Sequence, residues 1–199
     1  MHYVLVIYPR VDEALVGTIR RKYDPTVDVI APHLPVVYPV PESIGLDRLS
    51  SHIGSVAADT PPFDIRLGRL NRSSDHWLFL TPARGAEDLT QLYWRLHTGV
   101  LAEFRAVDGP FVPHVALGHL LRPGATYDWE HPREEDFDTS RYEVAFREAQ
   151  PLLASSPQRV DTVHLVAVPD EVLEWSGGER AALPRGLRVT DVRTFLLGD

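Results

Sequence analysis

The chain has 199 residues, no cysteine and a net charge of −8 from 20 basic and 28 acidic side chains. This excludes disulfides, thiol nucleophiles and cysteine-bound zinc, and it argues against broad gripping of long duplex nucleic acid, which needs many Lys and Arg contacts to phosphates. Hydrophobic residues make up 44% and charged residues 24%, which is ordinary for a folded protein. The first apolar run, Tyr3 to Tyr8, is too short for a membrane span or a signal-peptide core, so a cytoplasmic protein is expected.

Residues 3–8 read as a strand buried on both faces and ended by Pro9. Asp12 and Glu13 then open a predicted helix over about residues 12–23, with Leu15, Val16, Ile19 and Tyr23 at helical spacing and Arg20, Arg21 and Lys22 near its end. A strand is expected from Val27 to Val40, carrying His33, and a second helix from Leu46 to Ala57. Alternation over Phe63, Ile65 and Leu67 predicts another strand. Trp77 to Thr81, ended by Pro82, repeats the opening theme.

Glu87 and Asp88 open a long amphipathic segment reaching Phe104, and Phe111 to Leu121 forms a second strand, carrying His114. Strand, helix and histidine strand therefore occur twice, Pro9 to Pro82 being a step of 73 residues and His33 to His114 one of 81. An internal duplication is the economical reading. Residues 122–140 read as a surface loop and lid containing Tyr127 and Trp129. Tyr142 to Leu153 fits a helix, although Val144 also permits a strand, and Val160 to Val168 and Val189 to Leu197 fit strands joined across Ser176-Gly177-Gly178. The expected fold is α+β: one bilobal unit spanning 1–199, built from duplicated βαβ-type lobes with pseudo-twofold symmetry, approximately 1–75 and 76–199. The arrangement leaves room for strand exchange between the lobes, and two antiparallel-rich sheets are expected to flank a central cleft.

The two histidine stretches match: Ala31-Pro32-His33-Leu34-Pro35-Val36 and Val112-Pro113-His114-Val115-Ala116-Leu117. Strict strand alternation places His33 with Pro35 on one face, and His114 with Ala116 and Gly118; it sends His119 to the opposite face from His114 and so argues against a metal pair. Of the other histidines, His2, His52, His76, His97 and His131 read as surface residues, and His164 as a hydrogen-bonded sheet position. Two imidazoles facing one phosphorus centre can serve as base and acid in phosphodiester chemistry with neither metal nor cofactor.

The paired stretches Pro32-His33-Leu34-Pro35-Val36-Val37-Tyr38-Pro39 and Pro113-His114-Val115-Ala116-Leu117-Gly118, in their duplicated setting, resemble the 2H phosphoesterase superfamily and most closely its 2′-5′ RNA ligase or LigT-like branch. The resemblance implies a metal-independent phosphoesterase acting on the 2′,3′-cyclic phosphate of an RNA end or a nucleotide, with His33 and His114 as catalytic histidines. It implies substrate contacts at Tyr38, a position able to stack a base, and at Pro35 and Ala116. Those two stand where the family carries a phosphate-binding Thr or Ser, and neither side chain can donate a hydrogen bond. Arg122, Arg10 or, if the strand bulges before it, His119 are the expected compensating donors. Two other readings follow from the same residues: a non-catalytic RNA- or nucleotide-binding relative, and a small-molecule cyclic phosphodiesterase.

Overall fold

A computed structural model describes residues 1–105, 110–125, 131–173 and 186–199. Among the described residues, eight strands form two antiparallel sheets. The first has the order β2-β1-β7-β8, built from β1 (His2–Ile7), β2 (Leu34–Pro41), β7 (Thr162–Val168) and β8 (Thr190–Leu196). The second has the order β5-β4-β3-β6, built from β3 (Phe63–Arg72), β4 (Trp77–Arg84), β5 (Val115–His119) and β6 (Gln158–Val160). The helices are α1 (Glu13–Tyr23), α2 (Leu46–Ala58), α3 (Ala86–Leu96), α4 (Thr139–Ala149) and α5 (Asp170–Leu173). The duplication is visible in this order, with each sheet taking strands from both halves of the chain: β3 joins the second sheet and β7 and β8 the first.

β1 has two apolar faces, as its composition suggests. Tyr3, Leu5 and Ile7 enter the main core with helix residues Val16, Ile19, Leu49 and Ile53, while Val4 and Val6 join Ile30, Val166 and Val168 in a smaller cluster on the other face. The Asp12 side chain caps α1 by accepting from the Leu15 N–H, 2.9 Å away, satisfying an amide that has no partner within the helix.

Several expectations need correction. Each histidine strand begins one residue after its histidine, at Leu34 and at Val115; before the first, residues 25–29 make turns, in which Val29 and Ile30 donate to the Thr26 carbonyl. The helix expected through Phe104 stops at Leu96. Thr98 is extended and Gly99 has φ of 51°, and a 3₁₀ segment, Gly99–Phe104, follows. The predicted strand from Val160 to Val168 is two strands, parted at Asp161, and they serve different sheets. His76 and His97 are buried at 2% and 4% exposure rather than at the surface: His76 packs on Phe137 and meets the Arg133 carbonyl at 2.9 Å, and His97 lies against Tyr93 with ring centroids 3.9 Å apart.

Residues 131–138 of the expected lid are tied to the β3–β4 turn. The Arg72 guanidinium is ion-paired with Glu134 and sits over the Phe137 ring, 3.7 Å from its centroid. Tyr127, Trp129 and Ser176-Gly177-Gly178 lie outside the described residues.

Candidate active site

The edge strands β2 and β5 meet at the middle of the molecule, and the two histidines stand at their starts. Nδ1 of His33 lies 2.9 Å from the carbonyl oxygen of Ala31, and Nδ1 of His114 lies 2.7 Å from that of Val112. A carbonyl can only accept, so Nδ1 carries the proton in both rings and Nε2 holds the lone pair. The intervening proline explains the repetition, because it restricts the residue before it to extended backbone and so aims that residue's carbonyl. The shared Pro-His dipeptide thus sets one tautomer twice.

Both strands bulge at the same place. Val6 pairs with Pro35 and Leu5 with Val37, so Val36 is an extra residue on β2, which gains another between Val37 and Val40; Phe79 pairs with Ala116 and Leu78 with Gly118, so Leu117 is the extra residue on β5. These pairs are related by the steps of 73 and 81 residues seen in the sequence. A bulge reverses the alternation beyond it. His119, expected to face away from His114, therefore shares its face: His114 stacks on Phe79 at 3.7 Å and 16°, and His119 stacks on Trp77, two residues along the same strand, at 4.6 Å and 12°. Gly118 conversely turns toward α1, where a Cβ would lie 2.3 Å from Tyr23 Cβ. Tyr38, the counterpart of His119, is turned onto the cleft by the bulge on β2.

Two cavities meet between the sheets. One, of about 310 Å³, contains His33, Pro35, Arg20, Asp24 and Thr26, with an otherwise mainly apolar wall that includes Val4, Ile30, Val168 and Val189. The other, of about 550 Å³, contains His114, the aromatic rings of Phe79 and Phe111, and the polar turn from Asn71 to Asp75. Tyr38, Trp77 and Ala116 line both. The structure therefore brings together His33, His114, Tyr38, Pro35 and Ala116. His119 lies beneath Trp77 with Nε2 3.0 Å from the Asp75 carbonyl, and it lines neither cavity. Arg122 and Arg10 are not among the lining residues either; Arg122 Nε donates to the Phe137 carbonyl at 3.1 Å, and the Arg10 backbone is held by the Gln158 side chain.

Burial lowers the His33 imidazole from its ordinary 6.5 to about 4. The Ala31 carbonyl opposes that shift, and Arg20 and His114 deepen it. Burial also lowers His114, with the Val112 carbonyl and Asp75 pulling the other way. Both rings are neutral at neutral pH, each with one nitrogen ready to accept a proton.

Sequence reasoning passed over Trp77 and Phe79 as cleft residues, together with Arg20, Asp24 and the polar turn. The aromatic pair had a legible signal: Trp77 and Phe79 alternate with the core residues Leu78 and Leu80, 73 positions beyond the matching alternation in β1.

The profile of the 2′-5′ RNA ligase superfamily matches residues 8–167, and the chain belongs to that superfamily, the 2H phosphoesterases. Relatives provisionally named phosphoesterases occur in Geobacillus thermodenitrificans, 29% identical over 134 residues, and in Geobacillus kaustophilus, 30% identical over 137; each alignment covers 64% of this chain and 73% of the relative. In fold the chain is similar to E. coli LigT in its 3′-AMP complex, with a TM-score of 0.58 at 15% identity over 100% of this chain and 98% of that one. It is also similar to TT0787 of Thermus thermophilus, with a TM-score of 0.54 at 17% identity and the same coverage. The LigT-like arrangement expected from the paired motifs is thus the fold of this protein, and its activity is of the phosphoesterase or 2′-5′ RNA ligase kind.

Proposed function

We infer that this protein opens 2′,3′-cyclic phosphates of RNA ends or nucleotides, with His33 and His114 as general acid and base. The observation that carries this reading is the matched pair of Nδ1-to-carbonyl bonds, which leaves an Nε2 lone pair on each imidazole in two cavities that meet at Tyr38, Trp77 and Ala116. One neutral imidazole takes a proton from water as its oxygen bonds to phosphorus. The other, protonated, gives its proton to the ribose oxygen as that P–O bond breaks, so the product is a phosphomonoester. The aromatic and polar lining around His114 suits a nucleoside, with Tyr38, Trp77 and Phe79 offering ring faces and Asn71, Ser73 and Asp75 offering hydrogen bonds. Crystals of E. coli LigT with 3′-AMP and with NADP+ support a nucleotide-type ligand for this fold.

Purified protein, His33→Ala and His114→Ala are each incubated with 2′,3′-cyclic nucleotides in the presence of a chelator. Turnover confined to the parent chain is expected; equal turnover in all three ends the proposal. Two observations favour other readings. The apolar wall of the His33 cavity suits a small cyclic phosphodiester with a hydrocarbon substituent, and a comparison of cyclic mononucleotides, RNA oligomers and alkyl cyclic phosphates separates that substrate class. Pro35 and Ala116, which offer no hydroxyl, favour a binding protein without turnover, and calorimetry showing nucleotide binding but no hydrolysis would support it.

A further inference from the structure

Arg20 is 2% exposed, yet it lines the His33 cavity. It reaches that position from the last turn of α1, where its Nε donates to Asp24 Oδ2 at 2.6 Å and its carbonyl accepts from the Asp24 N–H at 2.7 Å. The other carboxylate oxygen of Asp24 accepts from the Thr26 N–H and hydroxyl, both at 2.8 Å. Asp24 is therefore held on both oxygens and clamps one edge of the guanidinium. A guanidinium has five N–H donors. Among the described residues the bond to Asp24 is the one that Arg20 makes through its side chain, so the Nη donors remain for whatever enters the cavity.

The duplication shows that the fold does not require this charge. The step of 73 residues that relates the strands also relates α1 to α3, Glu13–Tyr23 to Ala86–Leu96, and it carries Arg20 onto Tyr93 and Asp24 onto His97. In the second half those two positions form a packed ring pair, and Tyr93 continues into a stack on Phe111 at 4.2 Å. The same structural place is thus filled without an ion pair. A buried ion pair is a weak source of stability, and here it is spent in the one cavity that also holds His33, Pro35 and Ala116.

We propose that Arg20 is a phosphate-binding residue, presenting its Nη donors to the anionic oxygens of a phosphate ester beside His33 and replacing the hydroxyl donors absent at Pro35 and Ala116. Asp24 and Thr26 orient it. The fork of a guanidinium matches two phosphate oxygens, which an ammonium cannot do. This rests on the proposed function for the identity of the ligand, a nucleotide.

The test compares binding of adenosine 2′-monophosphate and of adenosine by calorimetry in the parent chain, in Arg20→Lys, and in Arg20→Gln combined with Asp24→Asn. The double substitution avoids stranding a buried carboxylate, and melting curves confirm its fold. Monophosphate affinity is expected to fall at least tenfold in the double variant and several-fold in Arg20→Lys, with adenosine affinity unchanged. Should the double variant not fold, Arg20→Lys alone decides. Parent-like monophosphate affinity in the folded variants, an equal fall for nucleotide and nucleoside, or a parent chain that does not prefer the monophosphate overturns the assignment. Arg20-dependent monophosphate binding in a parent chain without hydrolytic turnover instead defeats the catalytic reading and leaves the assignment standing.

Discussion

The Phe79 ring lies flat against His114, its centroid 3.7 Å from that of the imidazole, whereas the matching position beside His33 is the aliphatic Val6. The stack fixes the plane of His114 and excludes water from one face. Phe79→Leu is expected to raise the His114 pKa toward 6.5, read by NMR titration, and to lower kcat/KM roughly tenfold, since aromatic pairs of this kind contribute up to about 1.5 kcal/mol.

Restoring hydroxyls beside the histidines should strengthen catalysis. Pro35→Thr with Ala116→Thr is expected to raise kcat by roughly 10²-fold on cyclic nucleotides, the scale at which single donors to a developing oxyanion act. Single-turnover rates check this, and an unchanged rate would mean that the hydroxyls are not what limits the site.

The pH profile follows from the depressed imidazoles. Turnover needs one ring neutral and the other protonated, and kcat/KM reports the free enzyme. Because His33 is lowered to about 4 and His114 is also lowered, the protonated partner is lost as pH rises through values below 6.5. The optimum is expected on the acid side of pH 6.5, with activity already falling at neutrality; an optimum above pH 7 contradicts the described surroundings.

His119 links folding to pH. Burial first of all lowers it to about 4 in the folded chain, against about 6.5 when unfolded. Below 6.5 the unfolded chain binds the proton more readily, so this contribution to stability is complete above pH 6.5 and is lost as pH falls toward 4. The loss is about 3 kcal/mol at its limit. Urea unfolding at pH 7 and pH 4.5 should show a markedly smaller difference in His119→Gln than in the parent chain.

The duplicated order of elements and the two histidines were legible because Pro-His recurs in matched strand settings. Facing was not. Alternation places Gly118 with His114 and sends His119 away, and one inserted residue in β5, Leu117, reverses both assignments. A bulge is settled by how the partner strand pairs, which a single apolar run such as Val-Ala-Leu-Gly does not encode. Arg20 was legible as a helix-terminal cation and not as a cavity residue, because its inward direction depends on Asp24 and Thr26 beyond the helix end.

The two cavities differ in character although their histidines are presented alike. Under the proposed reaction either imidazole is chemically fit to protonate the departing oxygen, so the imidazoles do not by themselves choose which ester bond breaks. That choice falls to the walls. Under that proposal, a nucleoside seated among Phe79, Phe111 and the Asn71–Asp75 turn, with its phosphate toward Arg20, would present one ribose oxygen to each side. Phe111→Leu, which changes the wall of the His114 cavity without touching the histidine stack, would therefore be expected to alter the ratio of 2′- to 3′-phosphate products more than the rate at which they form.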